Sequence, residues 1–113
     1  MITLYHNPRC SKSRECNTHL TSLTEEVQVI NYMETPFTKT QLKELLKKLG
    51  ISPIELVRTN EAIWKSDYKG KELTDAQIIT AMVTHPRLIQ RPIVVKGAKA
   101  VIGRPLEAVD SIL

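Results

Sequence analysis

The chain has 113 residues, 42% of them hydrophobic, which suits one compact domain over residues 1–113 with a single core. Sixteen Lys and Arg against twelve Asp and Glu leave a net charge of +4 with both signs interspersed, a balance that fits a small anionic ligand and argues against nucleic acid. No apolar run approaches the ~20 residues that cross a bilayer, no signal-peptide pattern opens the chain, and two cysteines are too few for a disulfide scaffold. The expectation is a soluble, cytoplasmic monomer without a membrane partner, in a reducing compartment where a retained cysteine is more often catalytic.

Ile2 to Tyr5 is a short β-prone run, and Asn7-Pro8 then turns the chain. From Ser11 to Leu23, the positions Ser13, Cys16, Leu20 and Leu23 recur at three- and four-residue steps, which predicts a helix resting that face on a sheet. Val27 to Tyr32 reads as the next strand, completing a β-α-β unit that Thr35-Pro36 ends. Thr38-Lys39-Thr40-Gln41 is a capping-box sequence; Leu42, Leu45, Leu46 and Leu49 follow as an apolar stripe, and Gly50 is the stop. Lys43, Lys47 and Lys48 fall on the solvated face of that helix.

Ser52-Pro53-Ile54-Glu55 predicts a short helix toward Val57. Thr74-Asp75-Ala76-Gln77 starts another that runs through Ile78, Ile79 and Met82 until His85-Pro86 breaks it. Ile93 to Lys96, a Gly97 turn and Lys99 to Ile102 make an antiparallel hairpin, and Leu106 to Leu113 is a candidate final helix. The order predicts an α/β fold: a mixed central sheet covered by helices, with a helical insertion in the middle of the chain.

The chemistry centres on Cys10. A thiol attacks as its thiolate, and a sulfur placed at a helix N-terminus meets free amides and the positive end of the dipole, which lower its pKa. The strand, the Asn7-Pro8 turn and the helix place Cys10 there, with Arg9, Lys12 and Arg14 adding positive charge. Ser13 is one turn on, where its hydroxyl can bond the anion, and His6 is a second candidate partner. Glu15 is the opposing charge. Cys16 lies about 9 Å further along the helix, too far for a disulfide to Cys10, and shares the Leu20 face, so it reads as core. His6, Cys10, Cys16 and His19 do not match the short-range spacing of zinc ligands, and no metal is expected.

The stretch His6-Asn7-Pro8-Arg9-Cys10-Ser11-Lys12-Ser13-Arg14 resembles the active-site signature of the glutaredoxin-dependent arsenate reductases. Val57-Arg58-Thr59, Ile89 to Val95, and Ile102-Gly103-Arg104-Pro105 resemble that family's three arginine-bearing segments, in order. The resemblance implies a thioredoxin-like (glutaredoxin-like) fold and an arsenate-reducing enzyme. In it Cys10 attacks arsenic while Arg58, Arg91 and Arg104 hold the oxyanion. It further implies a cis bond before Pro92, catalytic company from His6 and Ser13, and support from Asn7, Arg14 and Pro92. Glutathione is then the co-substrate and glutaredoxin the protein partner, with no tightly bound cofactor. Ser11-Lys12 and Glu15 depart from the family's usual Gly-Thr and Asn. Two other readings remain: an Spx-like regulator binding RNA polymerase, disfavoured because Ser13 stands where a second redox cysteine would, and a glutathione-linked thiol oxidoreductase with another substrate.

Overall fold

The computed structural model describes residues 1–23 and 26–113, and the chain divides into two compact units, Met1–Thr35 with Arg91–Leu113 and Pro36–Gln90. The first unit contains β1 (Ile2–His6), α1 (Ser11–Thr21), β2 (Val27–Asn31), β3 (Ile93–Lys96), β4 (Lys99–Ile102) and a 3-10 helix at Leu106–Ile112. Its sheet has the order β2-β1-β3-β4. β1 runs parallel to β2 and antiparallel to β3, and β3 is antiparallel to β4, so the sheet is mixed as expected.

Side-chain alternation along β1 buries Ile2, Leu4 and His6 on one face. α1 turns Ser13, Cys16 and Leu20 inward, because steps of three and four keep them on one side of a 3.6-residue helix. Ile2, Leu4, Cys16, Leu20, Val94 and Val109 make the fully buried core of this unit. The same two faces bring His6 to Ser13. Core packing and site assembly therefore share one interface, between β1 and α1.

β3 is buried at Ile93, Val94 and Val95 in succession, as a central strand reads. Gly97 has φ 61° in the two-residue turn to β4, a conformation in which a side chain would be strained. Over Leu106–Ile112 the chain forms a 3-10 helix, closed by bonds such as Ala108 N–H to Pro105 O. Leu106, Val109 and Ile112, three residues apart, line its inward side; three residues per turn stacks them, where an α-helix would fan them out.

The second unit is helical: α2 (Lys39–Leu49), α3 (Ala62–Asp67) and α4 (Asp75–Thr84), with 3-10 turns at Pro53–Leu56 and Pro86–Leu88. Both capping boxes close, with Gln41 N–H on Thr38 Oγ1 at 3.1 Å and Gln77 N–H on Thr74 Oγ1 at 3.2 Å. Gly50 ends α2 at φ 69°. The Ser52 start also forms, with Ser52 N–H on Glu55 Oε2 at 2.7 Å, but yields only a 3-10 turn. Just past it, Gln90 N–H bonds Leu56 O and Arg58 N–H bonds Leu88 O, drawing the chain into an extended bridge at Val57. α3 carries no sequence start signal; it forms where Trp64 is buried and stacks on Tyr68 at 5.3 Å. Among the described residues, no helix is long and apolar enough to cross a membrane.

Candidate active site

Asn7 builds the loop that precedes α1. Its Oδ1 accepts from Arg9 N–H at 3.1 Å and its carbonyl accepts from Cys10 N–H at 3.0 Å, so the chain turns tightly after β1. Arg14 Nη1 donates to Pro8 O at 3.0 Å and straps the loop to the helix. Cys10 lands at the N-cap of α1, in extended conformation, with its carbonyl taking the first helical bond from Arg14 N–H. It is buried, at 8% exposure, where the sequence suggests a partly exposed thiol.

Burial pushes the Cys10 thiol up, yet the balance lies below the ordinary thiol value. The opposing groups are the Ser13 N–H, the Arg91 guanidinium, acting through its charge and a hydrogen bond, and the Lys12 N–H. Cys16 behaves in the opposite way. Wholly buried among apolar groups, its thiol is pushed up to about 11 and is chemically quiet.

Ser13 reaches Cys10 through its backbone and not through its hydroxyl. Its Oγ accepts from Asn7 N–H at 3.0 Å and lies 2.6 Å from His6 Nδ1, with Ser13 completely buried. His6 is thereby spent on Ser13. Burial and the charge of Arg14 hold the imidazole below its usual pKa against the opposing effect of Ser13. The sequence pointed to both side chains as direct partners of the sulfur; the structure makes them struts of the loop that carries it. Lys12 and Glu15 form an exposed ion pair at 3.7 Å, so the acidic residue has a local counter-charge.

The three arginine segments have different places. Arg91, joined to Pro92 by a cis bond, is half-buried beside Cys10, and its Nε and Nη1 are buried with no hydrogen-bond partner among the described residues. Arg104 is exposed, and its bond to Pro105 is also cis. Arg58 belongs to the second unit, where its Nη1 donates to Glu61 Oε1 at 2.8 Å and to Arg87 O at 3.1 Å. Sequence reading missed Glu61, although its spacing of three from Arg58 is the signal for such a pair. His19 pairs with Asp110 at 3.2 Å, and no cluster of three metal-binding side chains occurs among the described residues.

A thioredoxin-like mixed sheet thus places one cysteine at a helix N-terminus, beside an arginine that bonds it and has two further buried donors without partners among the described residues. The chain belongs to the ArsC family, whose model matches residues 5–112. It is 45% identical to the uncharacterized protein YfgD of Escherichia coli strain K12, over 99% of this chain and 96% of that one. It is 38% identical to an arsenate reductase of Haemophilus influenzae, over 99% and 98% of the two chains. The solved arsenate reductase of Vibrio cholerae superposes with a TM-score of 0.94 at 41% identity, covering 99% of this chain and 97% of that one.

Proposed function

We propose that the protein is an arsenate reductase that uses Cys10 as nucleophile and takes its electrons from glutathione and glutaredoxin in a reducing cytoplasm. The observation that carries this reading is Arg91: a buried guanidinium with two unpartnered donors next to an activated thiol. Leaving such donors unpaired costs free energy, and a tetrahedral oxyanion would satisfy them with matched geometry. By resemblance, Arg58 and Arg104 are further oxyanion ligands. His6, Asn7, Ser13 and Arg14 hold the Cys10 loop.

Attack by the thiolate forms a sulfur–arsenic bond and breaks one arsenic–hydroxyl bond, the hydroxyl taking a proton from solvent and leaving as water, with no change of oxidation state. Reduction of As(V) to As(III) then needs two electrons. Cys16 is buried, with its thiol pushed up to about 11, so it is no resolving group. External thiols must supply the electrons and leave as a disulfide. Relatives named arsenate reductases support the substrate. The test is arsenite production by the purified protein with arsenate, glutathione and glutaredoxin: Cys10→Ser should abolish turnover and Cys16→Ser should largely keep it. Equal loss in both, or no arsenite from the wild type, would overturn the reading.

A further inference from the structure

Gly103 is buried, and the space beside it is already taken. A Cβ built there would meet Pro92 Cγ at 3.0 Å, Val109 Cγ2 at 3.3 Å and Cys16 Sγ at 3.4 Å. Its φ lies outside the left-handed region, so what opposes alanine is space and not backbone conformation. Gly103 N–H also donates to Pro92 O at 2.8 Å. The glycine therefore bonds residue 92 at its carbonyl and leaves little room for a side chain against its ring. The residue bonded to Pro92 is Arg91, whose charge and hydrogen bond act on Cys10.

We propose that Gly103 is a positioning residue for Arg91: the missing side chain lets the chain close on Pro92 and so sets the guanidinium against the Cys10 sulfur. The tightest of the three contacts is with Pro92. A Cβ that asks for more than a change of ring pucker at Pro92 Cγ would shift the 92 backbone and carry Arg91 with it. Val109 and Cys16, on the core side, are fully buried and have little room to yield. The inference rests on the reading of Arg91 as the partner of the Cys10 thiolate; its test reads the thiol and not arsenite, so the two can fail separately.

The test is a double-mutant cycle on the pH dependence of Cys10 alkylation by iodoacetamide, read on the Cys10 peptide by mass spectrometry so that one thiol is followed while Cys16 stays in place. Gly103→Ala should raise the alkylation midpoint by about half a pH unit or more, as part of the Arg91 stabilisation is lost. Added to Arg91→Met, the same substitution should give no further shift, because the group it displaces is gone. Gly103→Ala with Val109→Ala, which removes one contact and leaves that with Pro92, should keep the raised midpoint while recovering stability. An unchanged midpoint in folded Gly103→Ala overturns the proposal. So does an equal shift in the Arg91→Met background, or return of the midpoint when Val109 is trimmed. If neither alanine variant folds, the glycine serves the core alone and the proposal fails.

Discussion

The two thiols are the same chemical group in two settings, and pH separates them. Cys10 has its pKa depressed by the Ser13 and Lys12 amides and Arg91 against the effect of burial, so its contribution to stability is full above the ordinary thiol value and is lost as pH falls through its own. Cys16, pushed up to about 11 by burial, contributes fully below its unfolded value of 9.0 and loses that contribution as pH rises toward 11. Urea unfolding from pH 8 to 11 should therefore show a shallower alkaline decline in Cys16→Ala than in the wild type, whatever the cavity does to the absolute level. Ser13→Ala is a different kind of loss. It strands the Asn7 amide and His6 Nδ1, an expected cost of about 1–3 kcal/mol in urea unfolding. The Ser13 N–H remains, so the Cys10 alkylation midpoint should move less than in Arg91→Met. The polar, basic neighbours of Cys10 made its setting legible. The destination of the Ser13 hydroxyl was not, because it depends on β1 turning His6 to the same face as Leu4.

At the scale of elements, what could be read was what local chemistry decides. Thr38 and Gln41, Thr74 and Gln77, and the Gly50 stop each depend on residues within one turn, and all form as their sequences require. Thr38→Ala should cost about 0.5–2 kcal/mol, the usual loss of a cap, read as a fall in the urea midpoint. The 3-10 turn at Pro53–Leu56 was read as a helix start because its capping box is genuine; distant bonds from Gln90 and Arg58 decide its length. α3 was illegible for a similar reason: burial of Trp64 holds six residues that no cap announces. Of the arginines, Arg91 and Arg104 look alike in sequence, each followed by proline. Their tertiary settings separate them: Arg91 is half-buried and Arg104 exposed.

Across the first unit as a whole, the positive charges fall into two classes that salt should distinguish. Arg9, Arg14 and Arg104 are exposed, Lys12 is paired with Glu15, and Arg91 is half-buried with its free nitrogens out of water. Exposed charges act on an approaching anion through solvent, over a Debye length of about 10 Å at 0.1 M salt that shrinks to about 3 Å at 1 M. A buried donor acts by contact and escapes most of that screening. The measurement is the ratio of Cys10 alkylation rates by anionic iodoacetate and neutral iodoacetamide, compared with that of free glutathione. The ratio should exceed that of glutathione at low salt, fall as salt screens the exposed arginines, and level off above the glutathione value at 1 M. Arg91→Met should remove the residual at 1 M while keeping most of the salt-dependent part; Arg104→Ala should do the reverse. A ratio that falls to the glutathione value at 1 M in the wild type would mean that Arg91 tunes the thiol without offering its free donors to an anion.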